Sequence, residues 1–284
     1  MDAPSEAHRR IDSGGDLQNG TLPVGAVLVD PKCYGLVTKS PDQATSHPSH
    51  RSNGTFDHGG LTRAGGNWAS TKGASMRSTE QIRNVVLVGH NASGKTSLAE
   101  ALLFRAGTVA RPGTVEKGST VMDHDPEERE RRQSISMSVA SFDWNDHRIN
   151  LVDTPGYADF RGEALLGLSA ADLAVFVIDG VAGVQSQDEV LWRQAAEMGI
   201  PRIVFVNKLD RERSSFDRTL AQVREVFGSH ADPTELPIGE ESSFHGVTDV
   251  LTHHAFVYDS GRAEPAEVPA DLAEAERAEH EHLV

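Results

Sequence analysis

Apolar residues change their spacing several times after residue 80, and these changes predict alternating strands and helices. Four short apolar runs predict buried strands, at residues 84–88, 149–152, 173–178 and 203–206. Residues 137–143 alternate between apolar and polar, which predicts a further strand before an Asn145-Asp146 turn. Helical spacing covers residues 96–106, 186–198 and 215–227. This order predicts an α/β fold in which helices cover a mostly parallel sheet.

Residues 1–80 lack such a pattern, and we expect them to form a low-complexity, disordered arm. Leu, Ile, Val and Phe make up only 11 of these 80 residues, too few for a segment that folds by itself. The apolar run at 24–29 could form a strand, but an isolated strand is not stable. His47, His50 and His58 have no second ligand pair at zinc spacing, which favours loop histidines over a metal site.

Composition narrows the possible functions. The arm holds eight basic and eight acidic residues, so the remaining chain carries the whole formal charge of −15. A surface this acidic does not attract nucleic acid by charge, and no sequence-specific nucleic-acid motif is found. The single Cys33 cannot form an intrachain disulfide. No apolar leader or membrane-length run is present, so we expect a cytoplasmic protein without membrane contact.

A glycine-containing loop lies between the first predicted strand and helix. Its sequence fits the phosphate-loop motif G-x-x-x-x-G-K-T, whose glycines allow the backbone to approach phosphates. Its amides and the following helix N-terminus attract anions, while the lysine charge contacts the β- and γ-phosphates and the threonine hydroxyl binds Mg²⁺. A glycine-rich turn with a chance lysine is the alternative. The predicted nucleotide ligands here are Gly89, His90, Asn91, Ala92, Ser93, Gly94, Lys95, Thr96 and Ser97.

Asp153-Thr154-Pro155-Gly156 directly follows the strand predicted at 149–152. A carboxylate at the carboxyl end of a strand can hold Mg²⁺ through water beside Thr96. The Gly156 amide can contact the γ-phosphate. By itself, this sequence could also be an ordinary turn.

Asn207-Lys208-Leu209-Asp210 follows the strand predicted at 203–206. The Asp210 carboxylate can accept hydrogen bonds from N1–H and the 2-amino group of guanine. Adenine offers neither donor, so it would leave the carboxylate unpaired, at a cost of roughly 1–3 kcal/mol. Asn207 and Lys208 are predicted to brace this loop. An ATP-using P-loop enzyme or kinase would explain Lys95 and Asp153, but it leaves the N-K-L-D sequence without a role.

From residue 81 onward, the chain resembles translational GTPases of the elongation factor G type. The resemblance rests on RNVVLVGHNASGKTSL, VMDHDPEERERRQSIS, INLVDTPGYADF, FVIDGVAGVQSQDEVLWRQA, IVFVNKLDR and LPIGEESSFHGVTDVL. It implies a P-loop GTPase core at 81–230 and the start of an inserted subdomain at 231–284. It also implies GTP or GDP with Mg²⁺ as ligands and the ribosome as a partner.

Three departures from the family pattern concern hydrolysis. Tyr157 occupies the position of the histidine that orients the attacking water in the family, and a phenol is a poor substitute for that base. Ala92 replaces an aspartate of the phosphate loop. Ser134 stands in the switch segment that usually reads R-G-I-T, where its hydroxyl would reach Mg²⁺ and the γ-phosphate. We therefore expect slow GTP hydrolysis, with Gly156, Tyr157 and Ser134 at the reacting end.

The sequence also ends within a predicted acidic helix, before the guanine-contacting S-A loop of the family. We interpret it as the N-terminal part of a divergent elongation factor G-like protein. Two alternatives stay open: a nucleotide-sensing module with little hydrolysis, and an inert truncated product whose incomplete sheet leaves apolar surface exposed.

Overall fold

The computed structural model describes residues 25–29 (backbone only), 77–123, 125–131, 133–259 and 262–283. Cys33 and the three arm histidines considered above lie outside the described residues, as does most of the arm. Two sheets are found in the described chain, one of seven strands and one of four. None of the described helices has the length and apolar character that crossing a membrane requires.

The large sheet has the order β3-β4-β2-β5-β6-β1-β7. Its strands are β1 (Gly25–Val29), β2 (Ile82–Val88), β3 (Ser138–Trp144), β4 (His147–Asp153), β5 (Leu173–Asp179), β6 (Arg202–Asn207) and β7 (Asp232–Pro233). The four central strands β4, β2, β5 and β6 are parallel, while β3, β1 and β7 are antiparallel to their neighbours. The predicted α/β class with a mostly parallel sheet is therefore confirmed, with the antiparallel pairs at its two sides.

Six α-helices are found in the part of the chain that the structure describes. They are α1 (Lys95–Arg105), α2 (Pro126–Arg131), α3 (Arg161–Ser169), α4 (Ser186–Glu197), α5 (Phe216–Phe227) and α6 (Ala273–Leu283). Residues of α1 pack in one apolar core together with Leu87 of β2, whereas Val86 and Val88 face a second core that contains residues of α3, α4 and α5. Successive side chains of a strand point to opposite faces, so β2 contributes to both cores.

Helix α3 was missed by the sequence pattern, because Gly162 and Gly167 interrupt an already short segment and glycine is a weak helix former. The structure supplies a reason for one of them. A Cβ at Gly167 would lie 3.0 Å from a methyl group of Val86 and 3.1 Å from one of Thr154. The glycine therefore lets α3 pack closely against β2 and the segment that follows β4.

The arm contributes one strand to the large sheet. Gly25–Val29 pairs antiparallel with β6, from Gly25 opposite Asn207 to Val29 opposite Ile203, and its end also pairs with β7. The run considered above as a possible isolated strand is thus paired in the large sheet. Its pairing covers the edge of β6 that does not contact β5.

The four-stranded antiparallel sheet follows directly after β7. Its strands are β8 (Glu235–Ile238), β9 (Gly246–Asp249), β10 (His254–Asp259) and β11 (Arg262–Ala266), in the order β11-β10-β9-β8. Glu235 of β8 lies opposite Asp249 of β9. Burial raises the pKa of Glu235 to about 7, and the neighbouring charge of Asp249 adds to this effect.

A proline at Val27 tests whether the arm strand belongs to the folded protein. Val27 lies opposite Phe205 in the middle of β1, and proline has no N–H to donate to a strand ladder. We expect Val27→Pro to cost about 1–3 kcal/mol and to lower the melting temperature by roughly 3–6 °C. Val27→Thr keeps the donor and the β-branch and serves as the control. Equal melting temperatures of the two variants would show that β1 does not stabilise the sheet.

Replacing Glu235 should change how stability depends on pH. The carboxyl group titrates near pH 7 in the folded protein but near 4.3 in an unfolded chain. The folded state therefore binds more protons between these values, and stability decreases as the pH rises through that window. We expect Glu235→Gln to unfold at a temperature several degrees above the parent protein at pH 8 and at a similar temperature at pH 4.

The exposed Glu264 on β11 provides the matched control for this experiment. Glu264→Gln should shift the melting temperature by less than a degree or two at either pH, because surface substitutions of this kind have small effects. A Glu235→Gln variant that gains nothing at pH 8 would contradict the assignment of a half-buried, destabilising carboxylate.

Candidate functional site

The loop between β2 and α1 closes around the side chain of Lys95. The ammonium Nζ donates hydrogen bonds to the carbonyl oxygens of Gly89 (2.9 Å) and His90 (2.8 Å). Only 6 % of Lys95 is exposed, and burial lowers its pKa to about 8, against the raising effect of the Asp153 and Asp188 carboxylates. A buried cation beside a helix N-terminus makes this loop a site for an anion.

The same loop is bonded to the end of β6. The Asn207 side-chain amide donates to the Ser93 carbonyl (2.9 Å), and Lys208 Nζ donates to the Ala92 carbonyl (2.6 Å). Gly94 has a φ of 101°, and a side chain there would collide with the Asn207 amide. The close approach of these two segments therefore requires a glycine at this position.

Hydroxyl and carboxylate oxygens lie close together where β4 ends beside α1. The Thr96 hydroxyl donates to Asp153 Oδ2 (2.6 Å) and lies 3.4 Å from the Ser134 hydroxyl. Ser134 donates in turn to Asp123 Oδ1 (2.9 Å). The structure thus brings together the three residues that the sequence predicted as metal ligands, and it adds Asp123 behind them.

Asp153 is buried and only partly satisfied. Burial raises its pKa to about 6, and the charges of Asp123 and Glu128 act in the same direction, while the Thr96 hydrogen bond and the Lys95 charge oppose them. Its Oδ1 atom is buried and has no hydrogen-bond partner among the described residues. Because buried polar atoms are nearly always partnered and Mg²⁺ prefers oxygen ligands, these residues fit a magnesium ion with its bound water.

Gly156 and Tyr157 lie beside the phosphate loop, close to Asn91 and Lys95. A Cβ at Gly156 would lie 2.6 Å from Lys95 Nζ and 2.7 Å from the Asn91 amide nitrogen. The backbone of residue 156 therefore reaches the lysine itself, which only glycine permits. Tyr157 follows, with 38 % of its surface exposed.

Lys208 connects the end of β6 to the end of β5. Its Nζ lies 2.7 Å from Asp179 Oδ2, while Asp179 Oδ1 accepts hydrogen bonds from the amides of Val181 and Ala182. Burial alone would raise the pKa of Asp179, but these hydrogen bonds and the lysine charge lower it overall. Asp179 was not predicted from the sequence, although its position at a strand end could have indicated it.

These segments enclose a cavity of about 800 Å³. Twelve of the sixteen predicted site residues line it: Asn91, Ala92, Gly94, Lys95, Thr96, Ser97, Ser134, Gly156, Tyr157, Asn207, Lys208 and Asp210. The other four do not line the cavity but bond to residues that do. Gly89, His90 and Ser93 offer their carbonyl oxygens to Lys95 or Asn207, and Asp153 bonds to Thr96.

Glu128 is a further contributor that the sequence analysis missed. It is 3 % exposed, and its Oε1 atom accepts hydrogen bonds from the amides of Ile135 (2.9 Å) and Ser136 (3.0 Å). It thereby fixes the segment that carries Ser134. Glu128 belongs to a run of acidic and basic residues with no periodic pattern, so no sequence signal distinguished it from its charged neighbours.

The chain is similar to known proteins in both sequence and fold. Residues 80–271 match the family model described as elongation factor Tu GTP binding domain. The chain is also similar to a crystal structure of a protein from Thermus thermophilus, with 38 % identity and a TM-score of 0.67. That match covers 72 % of this chain and 30 % of the other.

Curated relatives include elongation factor G of Granulibacter bethesdensis, 41 % identical over 70 % of this chain, and elongation factor G 2 of Streptomyces coelicolor, 43 % identical over 68 %. The mitochondrial ribosome-releasing factor 2 of Yarrowia lipolytica is 40 % identical over 68 %. The aligned regions amount to 29 %, 28 % and 24 % of these proteins, so the chain spans less than a third of their length. Because the family model covers about two thirds of the chain, this protein belongs to the translational GTPases with an elongation factor Tu-type GTP-binding domain, and within them it is elongation factor G-like.

Proposed function

We propose that this chain binds GTP and GDP with Mg²⁺ and hydrolyses GTP slowly as part of ribosome-linked translation. The observation that carries the proposal is the cavity of about 800 Å³, which is lined both by the phosphate loop with its buried lysine and by the N-K-L-D segment. A nucleotide would need both sets of groups, one for its charged phosphates and one for its base.

At the phosphate end, the chain offers a cation, backbone amides and a metal site. Lys95 and the amides of the loop at 89–97 would bind the phosphates, as helix N-termini bind anions. Thr96, Ser134 and Asp153 would hold Mg²⁺ directly or through water, and the Gly156 amide would contact the γ-phosphate. When bound, the metal neutralises charge on the β- and γ-oxygens.

At the base end, Asp210 is exposed and lines the cavity. Its carboxylate would accept hydrogen bonds from N1–H and the 2-amino group of guanine. Asn207 and Lys208 are bonded to the phosphate loop at Ser93 and Ala92, so the base-reading loop has a fixed position relative to the phosphates.

Tyr157 is the reason for proposing slow hydrolysis. It lines the cavity directly after Gly156, where the family carries a water-orienting histidine. A phenol can donate a hydrogen bond to water, but it does not act as an effective general base at neutral pH. The same residue favours the second candidate function, a nucleotide-sensing module that binds GTP and a partner with little turnover.

The division of the chain is also a proposal. We assign nucleotide binding to residues 81–230, the start of an inserted subdomain to 231–284, and an extension to 1–80.

The matches to elongation factor G in two bacteria support a cytoplasmic, ribosome-associated role.

Nucleotide selectivity tests the binding proposal. With Mg²⁺ present, GDP at 100 times its Kd should stabilise the protein by about 2.7 kcal/mol, and ADP at the same concentration should produce little shift in melting temperature. Asp210→Asn should reduce the preference for GDP over ADP at least tenfold, because the amide cannot accept both guanine hydrogen bonds. Asp217→Asn, an exposed change at the start of α5, is the control.

Chelating the metal with EDTA should weaken GDP binding in the same assay. The absence of any shift with GDP would favour the inert product. Equal shifts with GDP and ADP would favour the ATP-using alternative, and either result would contradict the proposal.

A histidine at position 157 tests the account of hydrolysis. We expect Tyr157→His to raise the single-turnover rate of GTP hydrolysis at least tenfold, in line with the usual contribution of a positioned general base. Its affinity for GDP should stay within about twofold, since residue 157 is not predicted to bind the nucleotide ground state. Tyr157→Phe is the control and should remain slow. An unchanged rate for Tyr157→His would show that Tyr157 does not cause slow hydrolysis and would point to Ala92 instead.

A further inference from the structure

A buried carboxylate on α4 contacts the side chain of the phosphate-loop histidine. Asp188 is the third residue of α4, and none of its surface is exposed. Its Oδ2 atom lies 2.9 Å from the Gln185 amide nitrogen and 3.0 Å from His90 Nδ1. This pair joins two elements that are 98 residues apart in the sequence.

The role of Asp188 extends beyond capping its own helix. An N-terminal helix cap requires one oxygen for the Gln185 amide, yet the same oxygen is shared with His90. The second oxygen, Oδ1, is buried and has no hydrogen-bond partner among the described residues. Burying a carboxylate with one unpaired oxygen at a helix start costs free energy. This cost has a function if the charge of Asp188 acts on the phosphate loop.

His90 links Asp188 to Lys95 through two hydrogen bonds. An ionised carboxylate only accepts hydrogen bonds, so His90 Nδ1 carries the proton and donates the hydrogen bond to Asp188. The His90 carbonyl oxygen accepts a hydrogen bond from Lys95 Nζ (2.8 Å). His90 is therefore held by Asp188 through its side chain and holds Lys95 through its main chain.

We propose that Asp188 is a positioning residue of the nucleotide site, which holds His90 and thereby places the Lys95 ammonium for the phosphates. This inference rests on the proposed nucleotide-binding function. It predicts that Asp188 acts on both GDP and GTP, because Lys95 contacts a phosphate that the two nucleotides share. It also predicts that most of the effect of Asp188 passes through its contact with His90, although the carboxylate charge also acts on Lys95 directly.

The first test is the affinity for GDP and GTP, measured by titration with fluorescently labelled nucleotides. We expect Asp188→Asn and His90→Ala each to weaken both nucleotides about tenfold, the size expected for losing a hydrogen bond to a charged group. The neighbouring Glu189→Gln is the matched control, since Glu189 is exposed and pairs with Arg193 on the same helix. It should change neither affinity by more than twofold.

A double-mutant cycle separates positioning from helix capping. With His90→Ala already present, Asp188→Asn should weaken nucleotide binding by less than twofold further, because the contact has already been lost. A tenfold loss in both backgrounds would show that Asp188 acts independently of His90, as a helix cap or through its charge on Lys95, and it would overturn the proposal. If Asp188→Asn does not fold, His90→Ala tests the same contact from the loop, and an affinity equal to that of the parent would also overturn it.

NMR spectroscopy can detect the His90–Asp188 hydrogen bond in the absence of nucleotide. In protein labelled with ¹⁵N-histidine, the Nδ1 of His90 should show a bound proton in the parent and in Glu189→Gln, and this signal should shift or disappear in Asp188→Asn. A parent protein that binds GDP while its His90 signal and affinity are unaffected by Asp188→Asn would contradict the positioning role. A parent that binds no guanine nucleotide would instead contradict the proposed function on which this role rests.

Discussion

The buried ammonium of Lys95 is the constraint on which the site depends. Removing a charge from water is costly, and the lowered pKa of Lys95, about 8, records that cost. The fold compensates in part with two carbonyl oxygens and with the charges of Asp153 and Asp188. A phosphate would compensate the lysine more directly, so the architecture around this residue favours an anionic ligand.

The parallel centre of the sheet explains how the other groups reach this lysine. Strands β4, β2, β5 and β6 all end at the same edge, so the residues that follow each strand meet there. Asp153, the phosphate loop, Asp179 and Asn207 stand at those four ends. The sheet therefore brings together groups that are distant in the sequence, and side-chain bonds such as Lys208 to Asp179 fix their spacing.

The sequence predicted the features that are encoded locally. The parallel strands are short β-branched runs, and the motif residues follow them directly, so both could be located without a structure. Helix α3 was missed because it contains two glycines. The run that forms β1 was considered a possible strand, but its pairing with β6 and β7 could not be predicted. Asp123 and Glu128 could not be predicted, since their contacts with Ser134 and its neighbours depend on the path of a loop.

The proposal of slow turnover depends on Tyr157 and Ala92. Both residues line the same cavity as the groups suited to hold phosphates and base, and both depart from the family pattern. Ala92 also adopts a φ of 60°, a conformation that asparagine or aspartate adopts more readily than alanine. A residue that is strained and has no polar side chain at this position does not improve binding. Because the proposed binding uses the backbone amides of this loop, the missing side chain fits the proposed slow turnover better than a loss of nucleotide binding.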